Sequence, residues 1–243
     1  MKKSVVVVLI AVVFLTSMVG SATASTEVTL QGFLVAEQLI GKPTEFYLRD
    51  NKDDMISLKF PKGVRADILD YAGKKVEVKG VLEGKKLTVS ELTPLEEPSP
   101  KVPVIGAQDT IVIMAYFTDR TNTELQGEVY RMVFNDMNGY YMEASYGLME
   151  VVGGFNPWVQ LDHTVAYYGQ TNPSWYFIRD AVAKVDPYVN FAGYTKFLFV
   201  DAGPNEETSG IASDIWSCRW SGLSIATGDG VTITHGAIVP DIE

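Results

Sequence analysis

Apolar and polar positions alternate through the segment that follows the first residues. Val28, Leu30, Gly32 and Leu34 fall at period two, the spacing of a half-buried strand. Phe46 and Leu48, then Ile56, Leu58 and Phe60, repeat the pattern, and the polar run Arg49-Asp50-Asn51-Lys52-Asp53-Asp54 between them reads as a hairpin loop. Val76, Val78 and, after Gly80, Val81 predict a fourth strand. Glu83-Gly84 predicts a turn, and Leu87, Val89 and Leu92 a fifth strand. Between the third and fourth strands, Val64, Ile68 and Leu69 have the spacing of a short helix. Strand, strand, strand, short helix, strand, strand is the order of an OB-fold, a five-stranded, partly open barrel.

The texture changes after Pro94. Four prolines fall between Pro94 and Pro103, which opposes both helix and central strand and predicts an extended, semi-rigid linker. Beyond it lysine becomes scarce, while aromatics, Gly and Asn rise. Thr110 to Phe117 is an apolar run that predicts a strand covered on both faces, with Asp119 at its carboxyl end. Leu125, Val129, Met132 and Val133 predict a helix over 123–135, and Tyr140 to Tyr146 a second, aromatic one. A short strand is expected over 148–152. Phe177, Ala181 and Val182 share one face of a helix over 176–185, and Phe197 to Val200 predict another buried strand, ending at Asp201. These pieces make a mixed α/β arrangement with one sheet and covering helices.

The first residues read as an address. Lys2 and Lys3 precede the unbroken apolar run Val5 to Leu15, and Ala22-Thr23-Ala24 has the form of a cleavage site before Ser25. The apolar run is shorter than the roughly 18–20 residues a membrane span requires. A cleaved signal peptide and a secreted, extracellular protein are therefore expected, with no membrane association after cleavage. One cysteine, Cys218, excludes an internal disulfide. The net charge of −10 argues against a broad nucleic-acid footprint, and the OB-like segment balances its lysines and arginines with acids, so no nucleic-acid partner is expected.

Several elements occur in a specific succession. Phe117-Thr118-Asp119 ends a buried strand, and Tyr140-Tyr141-Met142-Glu143-Ala144-Ser145-Tyr146-Gly147 follows on a helix. Gly153-Gly154, Asn156-Pro157-Trp158 and Tyr167-Tyr168-Gly169 come next, then Asp201-Ala202-Gly203, Ile215-Trp216-Ser217 and Trp220. Over about residues 104–240 this resembles the front part of the immune-inhibitor-A type of secreted zinc metalloprotease, the M6 peptidase family. The resemblance implies a zincin-type domain in which an H-E-x-x-H helix follows shortly. Its two histidines, one turn apart, hold zinc, and the glutamate between them activates the bound water. Ala237-Ile238-Val239-Pro240 resembles the strand that comes just before that helix. The sequence contains no H-E-x-x-H, and neither His163 nor His235 has a second histidine three or four residues away. No catalytic, cofactor-binding or metal-ligating residue of the family can be carried onto a position of this chain.

The expected fold class is α+β, a small OB-like β-barrel followed by a mixed α/β zincin-type domain that is incomplete. The expected division is a signal peptide over 1–24, the OB-like module over 25–95, the Pro-rich linker over 96–103, and an M6-like peptidase domain over 104–243, truncated before the zinc-binding helix.

Other chemistry has bland readings beside it. Cys218 as a nucleophile needs a base within hydrogen-bond reach and an electropositive setting. Arg219 is adjacent, but Trp216 and Trp220 flank the thiol and point to a packed segment. His235 and His163 read as structural, the latter with Asp162 as an orienting partner. Glu143 reads as scaffold, with Ser145 and Gly147 permitting close packing. Asp119, Asp201 and Asp214 lie at strand ends or in loops, where carboxylates can bind calcium. Gly228-Asp229-Gly230 is a tight turn and not a phosphate loop, since no lysine or helix accompanies it. Thr208-Ser209-Gly210 is a polar loop, and no Gly-x-Ser-x-Gly elbow is present.

Three functions follow as expectations. The first is part of a secreted zinc endopeptidase acting on proteins or peptides, inactive without the H-E-x-x-H portion and zinc. The second is a non-catalytic secreted binding or inhibitory protein built on the same scaffold. The third, disfavoured by charge, is an OB-mediated binder of nucleic acid or polysaccharide.

Overall fold

The structure is a computed structural model that describes residues 26–61, 67–99 and 104–241. The signal-peptide segment, Val64 of the expected short helix and residues 100–103 of the linker lie outside the described residues.

Five strands come first: β1 (Thr26–Leu39), β2 (Glu45–Arg49), β3 (Met55–Lys59), β4 (Lys75–Glu83) and β5 (Lys86–Pro94). β1 pairs antiparallel with β2 and β4, β2 with β3, β3 runs parallel to β5, and β5 returns to β4. The ladder therefore closes on itself as a small five-stranded barrel with an OB-like strand order. Leu34, Leu48, Leu58, Val76, Val78, Leu87 and Val89 fill its interior, and Ile68 joins them from a 3₁₀ turn over Ile68–Tyr71. Gly80 sits where the β4–β5 register shifts, and a Cβ there would lie 2.1 Å from the Thr88 carbonyl oxygen, so only glycine fits this bulge.

The second region is built on β6 (Gly106–Tyr116), β7 (Met149–Phe155), β8 (Val159–Gln160), β9 (Lys196–Asp201), β10 (Cys218–Ala226) and β11 (Thr232–Pro240). Its sheet order is β10-β11-β9-β6-β7, with β8 beside the end of β6. β11, β9, β6 and β7 run parallel, and β10 is antiparallel to β11. Alternate residues of β6 serve opposite faces. Ile111, Ile113 and Ala115 pack under one helix layer, while Val112 and Met114 pack under the other.

Helix α1 (Gln126–Tyr130), through Val129, and the residues just after it, Val133 and Phe134, cover the Val112 face; α2 (Asn138–Ala144) follows without burying a residue, and α3 (Trp175–Val185) covers the Ile111 face. The two helical stretches expected over 123–135 and 140–146 are one continuous segment, because a π-helical turn over Arg131–Met137 joins α1 to α2. Leu125 is the residue before α1 and is exposed, so it does not join the core stripe its spacing suggests. Tyr146 and Gly147, with φ of 55° and 78°, end the segment.

The expected first strand stops at Leu34, whereas β1 runs on to Leu39. The reason is that its last residues pair antiparallel with β10 on one side, Ala36 opposite Ser221 through Leu39 opposite Cys218, while Ala36 and Glu37 still pair with Phe46 and Glu45 of β2 on the other. Leu34 faces the barrel core and Val35 the second core, so both are fully buried and the alternation disappears. All eleven strands thus form one hydrogen-bonded sheet. Residues 95–99 lie against the barrel, with Leu95 N–H donating to Lys75 and Ser99 N–H to Asp70.

Candidate functional site

Two buried polar clusters bring together residues distant in sequence. The first lies at the carboxyl ends of the parallel strands, where ligands of open α/β sheets commonly bind. β6 runs into Asp119 and Arg120, β9 ends at Asp201, and β11 leads into Asp241. Arg120 Nη2 donates to Asp214 Oδ1 at 2.6 Å, and Asp214 is almost fully buried. Asp241 accepts from the backbone N–H groups of Gly203 (2.6 Å), Thr123 (2.7 Å) and Glu124 (3.2 Å). Asn205, with its amide turned to satisfy both neighbours, donates to Asp201 Oδ2 (2.9 Å) and accepts from Ser217 Oγ (2.9 Å). Burial first, and the nearby Asp241 carboxylate second, push the Asp201 carboxyl well above the usual carboxylate range. These contacts tie three strand ends to the loop around Asp214. Positive φ at Gly203 (88°) lets the chain turn under the Arg120 side chain, which a Cβ would strike at 2.6 Å.

The calcium expectation rests on Asp119, Asp201 and Asp214. Asp119 Oδ1 instead accepts the backbone N–H of Val165 at 3.0 Å, and Asp214 faces the Arg120 guanidinium. Among the described residues, no group of three or more His, Cys, Asp or Glu side chains is placed to hold a metal ion.

The second cluster lies where the barrel meets the mixed sheet. Glu37, on β1, shares the face of Val35 and points into the junction. Its Oε1 accepts from Ser174 Oγ at 3.0 Å, just before α3, and its Oε2 lies 3.0 Å from Tyr47 Oη. Tyr47 Oη is also 2.9 Å from Glu45 Oε2. Trp220 Nε1 donates to Ser174 Oγ at 2.9 Å, and Cys218 Sγ is 3.4 Å from the same oxygen. The Tyr47 ring stacks at a tilt on Trp220, with centroids 5.4 Å apart. Burial, partly offset by the Ser174 and Tyr47 hydroxyls, raises the Glu37 carboxyl to about 7. Burial and the neighbouring Glu37 charge push the Cys218 thiol well up, so it is an unreactive thiol in a packed segment rather than an activated nucleophile.

The histidines stand apart from both clusters. His163 stacks on Tyr167 with centroids 3.9 Å apart, and Asp162, expected to orient it, accepts instead from Lys184 Nζ at 2.8 Å. His235 Nε2 lies 3.1 Å from the Thr195 carbonyl oxygen, and burial lowers its pKa. Glu143 is exposed on α2. Ser145 Oγ accepts from Met149 N–H at 2.9 Å, and Gly147 has open space around it, so its glycine serves the positive φ rather than close packing. Asp229 closes the 228–230 turn, accepting from Thr227 Oγ1 and from Val231 N–H.

Among the described residues, two surface grooves bring side chains of different elements together. One of about 260 Å³ lies on the barrel between Phe60, Ile68, Tyr71 and Leu92. The other, of about 520 Å³, runs between Lys52 and Asp53 of the β2–β3 loop, Trp175 and Arg179 of α3, and Ile225 of β10. Arg179 lies over the Tyr176 ring at 4.1 Å.

The sequence singled out none of Glu37, Tyr47, Ser174, Arg120 or Asp241. A signal for Glu37 was present: it is a carboxylate directly after the apolar run Leu34-Val35-Ala36. Compared with known proteins, the chain matches no family model and no curated protein.

Proposed function

We propose that this chain carries the amino-terminal part of a secreted zinc metallopeptidase resembling the M6 family, with an OB-like module in front of a zincin-type sheet. In such a domain the metal-binding helix and the sheet share a core, so a chain without that helix should leave apolar surface uncovered. The observation that carries the proposal is the outer face of the helical segment. α2 buries none of its residues, and Tyr140, Tyr146 and Leu148 are 67%, 94% and 63% exposed. On the same side of the sheet, Leu198 and Val239 are only half-buried against the core of Val112, Met114 and Val200.

The side chains present do not fit a zinc ion. His163 and His235 are engaged separately, by Tyr167 and by Thr195, and the described residues hold no metal-ligating group. No hydrolytic step is derived for this chain, and by itself it is expected to be inactive toward protein or peptide substrates. Calcium, two of whose three expected carboxylates, Asp119 and Asp214, are engaged by Val165 N–H and by Arg120, is tested by titration. An unchanged melting temperature on adding calcium removes it.

A second reading, a non-catalytic secreted binding or inhibitory protein, is favoured by the finished core on the other face, where α3 buries six of its eleven residues. Sedimentation of the purified chain with an apolar dye separates the two. Self-association and dye binding support the peptidase part. A dye-silent monomer that unfolds cooperatively supports the binding protein.

A further inference from the structure

We propose that Glu37 is a proton-operated latch that holds the end of β1, and with it the barrel, on the edge of β10. The inference does not depend on the peptidase reading. It starts from a hydrogen count. A phenol has one proton to donate, yet Tyr47 Oη lies 3.0 Å from Glu37 Oε2 and 2.9 Å from Glu45 Oε2. Both contacts are hydrogen bonds only when one carboxyl carries a proton of its own. Glu45 is exposed, whereas Glu37 is 7% exposed, so the proton belongs on Glu37, where a charge would be cut off from water. The consistent arrangement is Glu37 Oε2–H donating to Tyr47, Tyr47 donating to Glu45, and the chain Trp220 to Ser174 to Glu37 Oε1 closing the other side. The groups that face Glu37 are Tyr47 and Glu45 from β2, Ser174 from the start of α3, and Cys218 and Trp220 from β10. None of them is a cation, so nothing neutralises Glu37 once it ionises.

The latch closes a short contact. Four residue pairs join β1 to β10, and Trp216 Nε1 donating to the Ile40 carbonyl (2.8 Å) extends the contact by one residue. Loss of the Glu37 proton places an unpaired anion beside Glu45 in the middle of this pairing. Release frees residues 218–221 of β10 as an unpaired strand edge, a surface that accepts another extended chain. The carboxyl, raised from 4.5 to about 7, holds its proton in the docked state where a solvated one would lose it. Docking is therefore tightest below about pH 4.5, weakens as pH rises, and reaches its floor above about 7. That span corresponds to roughly a three-hundredfold change in the docking equilibrium.

Cys218 reports on this directly, since it is the one cysteine in the chain and lies in the junction. Its alkylation rate is measured on the full chain between pH 5.5 and 8.5 and divided by the rate in denaturant at the same pH, with far-UV circular dichroism recorded alongside. The normalised rate should rise about tenfold or more with a midpoint near 7 while the dichroism stays constant. In Glu37→Gln it should stay flat, because the amide accepts from Ser174 and donates to Tyr47 without ionising. Glu45→Gln should move the midpoint down. A flat wild-type profile, an equal rise in Glu37→Gln, or a rise that tracks loss of dichroism would each overturn the proposal. If Glu37→Gln does not fold, the wild-type midpoint and its shift in Glu45→Gln decide.

Discussion

The two helix layers on the mixed sheet are unequal. α3 places Trp175, Phe177, Ile178, Ala181, Val182 and Val185 in the core, whereas α2 places nothing there and turns Tyr140, Tyr141 and Met142 outward. Both helices are rich in aromatics, so composition does not separate them. What separates them is that α3 buries one face in the core and has Ser174 at its start bonded to Glu37 and Trp220 in the junction, while the core on the other side is filled from α1 and the π-helical turn, by Val129, Val133 and Phe134, and takes nothing from α2. One face of the sheet is a finished core and the other is a surface with apolar side chains to spare. That inequality is what the proposed metal-binding helix accounts for.

The sharpest way to break the comparison is to damage each layer in turn. Phe177→Ala removes a fully buried ring that touches Phe117 and Tyr168 and should cost about 3–5 kcal/mol in denaturant unfolding. A loss under about 1 kcal/mol would mean that the α3 layer is not the stable one.

The junction comes next. A carboxyl whose pKa is higher in the folded chain than in the unfolded one makes the folded state bind the extra proton. Stability is therefore full below about 4.5 and falls as pH rises through about 7. The contribution from Glu37 is on the order of 3 kcal/mol, and Glu37→Gln should remove most of the slope in a denaturation series over pH 5–8. A wild-type stability that rises over this range would contradict the assignment.

Arg120→Ala leaves Asp214 buried without its cation and should cost about 2 kcal/mol, since the guanidinium is itself partly exposed. Asp214→Asn should recover part of that loss in the double variant, which a double-mutant cycle reads. The smallest effect belongs to the outer face. Tyr140→Ser and Tyr146→Ser should change stability by no more than about 0.5 kcal/mol, yet reduce apolar dye binding. A large destabilisation would show that these rings are already packed.

Much of the barrel was legible in the residues. Leu48, Leu58, Val76, Val78, Leu87 and Val89 were picked by alternation alone, because a small closed barrel has one inside and each strand shows it at period two. The strands β6 and β9 were legible as unbroken apolar runs, and helix α3 by the helical spacing of Phe177, Ala181 and Val182. The course of β1 beyond Leu34 was not. That strand packs against two cores, Leu34 in the barrel and Val35 in the second region, and burial on both sides erases the period on which the reading depends. The π-helical turn was equally hidden, since the apolar spacing of Val129, Met132 and Val133 reads as ordinary α-helix. The polar clusters were missed because each is assembled across long separations, Glu37 with Ser174 and Arg120 with Asp214. Of these, only the lone carboxylate beside an apolar run was visible beforehand.

The most direct test of the central claim is the nucleotide sequence of the native locus through and beyond the Glu243 codon, translated in all three frames and into the adjacent gene. The account predicts an H-E-x-x-H helix within a few tens of residues, placed to cover the α2 side of the sheet. A continuous sequence with no such motif in any frame would contradict the peptidase reading and leave the non-catalytic binding protein in its place.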